Sequence, residues 1–151
     1  MNADIRTVLS LCAGYGGLDL GLAAGLDACA GREARVVCHV EREAFPAALL
    51  AYRMAEEGVA TAPVWSDLRT FDGRPWRGVV DCITGGYPCQ PFSFAGERKG
   101  EADPRHLWPE VARLVAGVEP GLAFFENVGG HLSLGFDGVS RALLRMGYRA
   151  A

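Results

Sequence analysis

A chain of 151 residues, half of them apolar, is long enough for one domain with its own core. A net charge of −3 and a pI near 5.6 argue against the overall basic footprint on which non-specific nucleic-acid binding rests. Five cysteines, odd in number and without a C-x-x-C pair, argue against a disulfide framework or a zinc site, so no metal is expected and a reducing cytoplasm fits. The N-terminus lacks an apolar leader region and no window approaches ~18 uninterrupted apolar residues, so the chain reads as soluble and unexported.

Ile5 to Leu11 reads as a strand that runs into Cys12-Ala13-Gly14-Tyr15-Gly16-Gly17, after which Leu18, Leu22 and Leu26 recur at helical spacing. A glycine loop between strand and helix lets backbone N–H groups face a ligand, although a tight turn that binds nothing has the same pattern. Asp19 stands where the last glycine of a dinucleotide fingerprint would be, and no Lys-Ser/Thr of a P-loop follows. Arg35 to Val40 is a second strand, ending at Glu41 and followed by a helix from about Glu43 to Glu57. An acidic residue at that tip suits the ribose hydroxyls of a nucleotide-type ligand; the alternative is that Glu41, Arg42 and Glu43 are charges at an exposed turn. His39 reads as a packed, hydrogen-bonded core histidine.

Ala62 to Trp65 is a short third strand. At its end Asp67 could accept a hydrogen bond from an exocyclic amine while Leu68 offers an apolar face, or Asp67 could cap a turn. A polar connection over residues 69–78 leads to the apolar run Val79 to Thr84, read as a buried strand. Gly85-Gly86-Tyr87-Pro88-Cys89-Gln90-Pro91-Phe92-Ser93 follows. Its prolines stiffen the loop and hold Cys89 out of any helix, as a nucleophile requires. Residues 94–103 read as a polar loop whose charges cancel, and Asp103-Pro104 as the start of a helix with the inward stripe Leu107, Val111, Leu114, Val115, Val118. His106 and Trp108 fall off that stripe and read as rim residues.

Gly121 to Phe125 is a buried strand ending in Glu126-Asn127-Val128. Two phenylalanines before Glu126 would shield it from water, raise its pKa and let it share a proton near neutrality; a surface glutamate at a glycine turn is the alternative. Phe136, Val139, Leu143 and Met146 form a last helical stripe with Gly147 just past its end, and Arg141, Arg145 and Arg149 share a solvated face. Strand and helix alternate throughout. That order predicts an α/β fold, a doubly wound, mostly parallel sheet with its site at the carboxyl ends of the strands, where Cys89, Glu126, Glu41, Asp67 and the glycine loop would gather.

Pro88-Cys89-Gln90 with Ser93, after Gly85-Gly86, resembles the catalytic loop of DNA cytosine-5 methyltransferases, and the other motifs follow in that family's order. Ala13-Gly14-Tyr15-Gly16-Gly17-Leu18 is similar to its cofactor loop, Glu41 to its ribose acid, Asp67 with Leu68 to its adenine side, and Glu126-Asn127-Val128 to its glutamate motif. The resemblance implies a Rossmann-like S-adenosylmethionine-dependent fold, double-stranded DNA as partner and 5-methylcytosine as product. The implied chemistry has the Cys89 thiolate add to C6 of a flipped cytosine while Glu126 holds the N3/N4 edge. The same resemblance implies that Arg42, Gly86 and Pro88 border the cofactor, that Pro88, Gln90 and Asn127 join Cys89 and Glu126 in catalysis, and that Ser93 and Val128 bind the substrate.

Two departures stand out. Cys12 replaces a phenylalanine beside the cofactor, and Arg42 follows Glu41 where an aromatic is sometimes found. The family's arginine motif, target-recognition region and closing helix do not precede Ala151. The chain therefore reads as the catalytic and cofactor portion, residues 1–151, with a sheet that lacks its last strands and an apolar edge left open. It would be incomplete without a further segment or second chain; a noncatalytic remnant, half of a split enzyme and a redox-sensing thiol domain are the alternatives.

Overall fold

The computed structural model describes residues 6–57, 61–87, 107–127 and 135–149. One five-stranded sheet runs through it, built from β1 (Arg6–Leu11), β2 (Ala34–Val40), β3 (Val64–Trp65), β4 (Cys82–Gly85) and β5 (Leu122–Phe125). The order is β3-β2-β1-β4-β5 and every neighbouring pair is parallel. The helices among the described residues are α1 (Gly17–Ala30), α2 (Ala44–Glu56), α3 (Trp108–Val118) and α4 (Phe136–Arg145), with a 3-10 turn at Arg74–Trp76. The chain steps outward from β1 in one direction to β2 and β3, then returns to β4 and β5 on the other side. The reversal lies between β1 and β4, where an open parallel sheet leaves a crevice beyond its strand ends.

Strand alternation sorts the core. On one face Leu9, Leu11, Cys38, Val40 and Ile83 are buried together with Val111, Leu114, Val115 and Val118 of α3, whose stripe is the one expected from its spacing. Leu68, Phe71 and Tyr87 belong to the same cluster, and Arg113 of α3 ties the loop after β3 to it by donating to the carbonyls of Leu68 and Phe71 at 2.9 and 3.0 Å. The opposite face carries Ser10, His39 and Thr84, which lie side by side in register. Asp19 of α1 covers them.

Several expectations need correction. The third and fourth strands are shorter than the apolar runs suggested. Val79 is 55% exposed in a turn, and β4 begins only after Asp81 has accepted hydrogen bonds from the Thr7 N–H and hydroxyl at 2.9 Å each. β5 is an edge strand, not a buried one, with Leu122 and Phe124 46% and 42% exposed on the Ser10 face. Trp108 is no rim residue; its ring meets Tyr87 and Phe125 at centroid distances of 5.9 and 6.0 Å, which packs the start of α3 onto the tips of β4 and β5. In α4 only Val139 is buried, while Phe136 and Met146 are 44% and 38% exposed. The stripe read from residues 136–146 is thus occupied by Val139 and by the partly buried Leu143, which packs against the core, and not at its ends. Gly147 has φ +93° just past the helix, and Tyr148 donates its hydroxyl to the Pro120 carbonyl at 2.7 Å. The 94–103 loop lies outside the described residues, and the helix expected to start at Asp103-Pro104 starts instead at Trp108, with Leu107 as its N-cap and Pro109 in its first turn. No helix among the described residues is long and apolar enough to cross a membrane.

Candidate functional site

A cavity of about 220 Å³ opens at the β1/β4 reversal, between the end of β1, the glycine loop and the tips of β4 and β5. Ser10, Leu11, Cys12 and Ala13 form one wall, Leu18 the start of the next, and Thr84, Gly86 and Glu126 the far side.

The glycine loop is fixed from three directions. The Ala13 N–H donates to the Val40 carbonyl at 3.1 Å, continuing the β1–β2 pairing past the strand, and the Gly16 N–H donates to Ala13 at 2.9 Å to close the turn. Gly16 has φ +78°, a left-handed backbone conformation that favours glycine, while a Cβ there would make only an ordinary contact with Leu50 of α2 at 3.4 Å. Arg53 of α2 donates to the Tyr15 carbonyl from the outside. Tyr15 itself is 52% exposed and meets Phe45 edge-on at 6.3 Å.

Glu41 is 8% exposed, so the alternative of a surface charge is set aside. One carboxylate oxygen accepts the Gly14 N–H and the other the Glu43 N–H, both at 2.7 Å. Each oxygen keeps a lone pair for a further donor such as a hydroxyl. Arg42 is exposed. Asp67 does cap a turn, its Oδ1 accepting the Arg69 N–H at 2.9 Å and standing 3.9 Å from the Arg69 guanidinium. Leu68 turns inward to 5% exposure and gives its side chain to the core.

The main-chain N–H of Glu126 donates to the Gly85 carbonyl at 3.1 Å and its side chain reaches the cavity near Gly86. The residue is exposed, contrary to the shielding expected from its two phenylalanines. Phe124 faces the open side of the edge strand, and Phe125 turns the other way to pack over Gly85, whose missing Cβ would sit 3.0 Å from that ring. Neither covers the carboxyl group. Asn127 donates to the Tyr87 carbonyl at 3.2 Å, which fastens the end of β5 to the residue before Pro88. Pro88, Cys89, Gln90, Ser93 and Val128 lie outside the described residues.

Cys12 lines the cavity in a left-handed conformation, φ 51°, uncommon for a residue with a side chain. Burial, and secondarily the Glu41 charge, push its thiol up to about 12. Sequence reasoning missed the group beneath the cavity floor. Asp19, 8% exposed, accepts the Ser10 hydroxyl at 2.7 Å and the Thr84 hydroxyl at 2.6 Å. His39 is packed as expected but not hydrogen-bonded; both ring nitrogens lack a partner, and Nδ1 stands 3.8 Å from Asp19. Its spacing three residues before Leu22 puts Asp19 on the sheet-facing side of α1, but the partners it meets there are set by the fold.

A doubly wound parallel sheet, a glycine loop tethered to an acid on the neighbouring strand and a cavity at the strand ends define the nucleotide-binding class of α/β domains. Within that class, the chain belongs to the C-5 cytosine-specific DNA methylase family, which matches residues 6–149. The type II methyltransferase M.NgoMIV of Neisseria gonorrhoeae is 34% identical over 94% of this chain and 43% of its own length. M.Eco47II of Escherichia coli is 36% identical over 86% of this chain and 29% of its own. The chain thus spans less than half of these relatives. A mutant DNMT2 of Spodoptera frugiperda superposes with a TM-score of 0.68 at 19% identity, over 92% of this chain and 40% of that one, which shows the shared fold.

The cofactor of the family is S-adenosylmethionine, and the residues present fit it. Gly14 and Gly17 leave open space where side chains would stand, Glu41 is buried with acceptor capacity remaining, and the cavity continues from the glycine loop to Glu126.

Proposed function

We propose that this chain, over residues 1–151, is the cofactor- and nucleophile-bearing portion of a methyltransferase that methylates C5 of cytosine in double-stranded DNA. The observation that carries the reading is the convergence of two strand tips on one cavity. Glu126 at the end of β5 lines it beside Gly86, and Asn127 holds the carbonyl of Tyr87, two residues before Cys89. Addition to a pyrimidine needs a thiolate and a carboxylic group at one cavity; Glu126 offers the carboxylic group, and Asn127 fixes the chain two residues before Cys89.

Bound S-adenosylmethionine supplies an electrophilic methyl group. Glu41 would take the ribose hydroxyls and Asp67 the adenine amine, and the loop from Ala13 to Leu18, with Gly86 and Pro88, would hold the rest. The Cys89 thiolate would add to C6 of a flipped cytosine with Glu126 holding the N3/N4 edge, so that the electron pair gathers at C5 and could take the methyl group, the S–CH3 bond breaking to leave S-adenosylhomocysteine. Loss of the C5 proton returns the pair to the ring and expels the thiolate. Pro88, Gln90 and Asn127 would assist Cys89 and Glu126 in catalysis, and Ser93 and Val128 would meet the substrate.

A further segment supplying DNA recognition belongs to this reading. The exposed Leu122 and Phe124 favour it, because a parallel sheet is ordinarily covered on both faces. Covalent trapping tests the proposal: the chain is mixed with S-adenosylmethionine and duplex DNA carrying 5-fluorocytosine, with and without a second chain bearing the remainder of a relative such as M.NgoMIV. A Cys89-dependent adduct that forms with the second chain is expected. No adduct under either condition would indicate a noncatalytic, cofactor-binding role.

A further inference from the structure

We propose that Asp19 is a buried counter-charge for the sulfonium of S-adenosylmethionine, so that it sets the preference of the site for the charged methyl donor over the neutral product. This rests on the cofactor reading above and adds a specificity determinant that touches neither cofactor nor DNA. Ser10 and Thr84 face each other in register on β1 and β4 and both line the cavity. Their hydroxyls point down to Asp19 at 2.7 and 2.6 Å, which places the carboxylate one side chain below the cavity floor.

Both carboxylate oxygens act as acceptors, and both donors are neutral. Hydrogen bonding is satisfied but the negative charge is not cancelled. Among the described ion pairs no arginine or lysine meets Asp19, and the one basic group near it is His39, 3.8 Å away. Burial holds the His39 imidazole below its ordinary pKa against the pull of Asp19, so the ring stands neutral beside the carboxylate. The N-terminus of α1 makes the isolated charge tolerable, because Asp19 lies in the first turn of that helix. Glu126 also carries an acid to the cavity, but it is exposed and its field is screened by water. Asp19 is 8% exposed and is not.

S-adenosylmethionine and S-adenosylhomocysteine differ by a methyl group and by the positive charge at sulfur. A buried anion near the pocket therefore acts mainly on that difference, whereas a purely structural clamp would act on both ligands alike.

The test is calorimetric titration of both ligands at pH 8 into the wild type, Asp19→Asn and Thr84→Val. In Asp19→Asn the affinity ratio of S-adenosylmethionine to S-adenosylhomocysteine is expected to fall by about tenfold, as removal of a poorly screened charge implies; equal weakening of both would overturn the proposal. Thr84→Val breaks half of the clamp and keeps the charge, so its ratio is expected to hold or rise; a fall of about tenfold relative to wild type would overturn the proposal, and this arm stays readable if Asp19→Asn does not fold. Wild type that binds neither ligand would overturn the cofactor reading itself, before any substitution is made.

Discussion

Glu41 of the β2 tip accepts the main-chain N–H of Gly14 at 2.7 Å, so the loop after β1 is held by the acid after β2. The same carboxylate accepts the Glu43 N–H and thereby fixes the entry to α2. Glu41→Ala leaves two N–H groups without their acceptor, each bond to a charged group being worth about 1.5–3 kcal/mol. S-adenosylmethionine affinity is expected to fall by at least about tenfold, with a smaller loss for Glu41→Gln, as measured by calorimetry beside a thermal melt.

Gly16 is the turn position that tolerates substitution least. At φ +78°, Gly16→Ala places a side chain in a left-handed backbone conformation, with only an ordinary contact to Leu50 at 3.4 Å. A loss of about 1–2 kcal/mol in urea unfolding is expected. Gly21→Ala, in the exposed middle of α1 with open space around it, is expected to be neutral or mildly stabilising.

The cysteines divide by environment. Burial pushes the Cys12 and Cys82 thiols up to about 12, while Cys29 is exposed at the end of α1. At pH 8 in native buffer, iodoacetamide is expected to label Cys29 and to spare Cys12 and Cys82, because the thiolate is the reacting species. Peptide mass spectrometry checks this, and labelling of Cys12 at the rate of Cys29 would show its environment to be misjudged.

Asp81 closes the entry to β4. The Thr7 N–H, with help from the Thr7 hydroxyl and Arg6, holds its carboxyl below the usual range. A depressed folded-state pKa means that the contribution is complete above the unfolded value of about 3.9 and is lost as pH falls through the folded one. Acid unfolding of Asp81→Asn is accordingly expected to show a shallower decline below about pH 4 than the wild type.

The strand-and-helix order and the stripe of α3 were legible because they depend on local spacing, and the buried half of the sheet follows them. The acid at Glu41 was legible for a similar reason: it ends a strand one crossover after a glycine loop. What could not be read depends on neighbours distant in the chain. Whether Leu122 and Phe124 are covered is decided by what lies across the sheet, and whether Glu126 is shielded by which way Phe124 and Phe125 turn. Asp19 looked like a departure from a glycine fingerprint because its partners, Ser10 and Thr84, are 9 and 65 residues away.

The placement of the cofactor at the β1/β4 reversal is tested most directly by hydrogen–deuterium exchange with and without S-adenosylmethionine. Protection is expected in peptides spanning residues 9–18, 38–43 and 84–87, the lining of the cavity and the Glu41 tether. A second hollow lies at the far end of α1, lined by Ala23, Asp27, Arg32 and Glu33. Protection confined to that region, with residues 9–18 and 38–43 unchanged, would contradict the account.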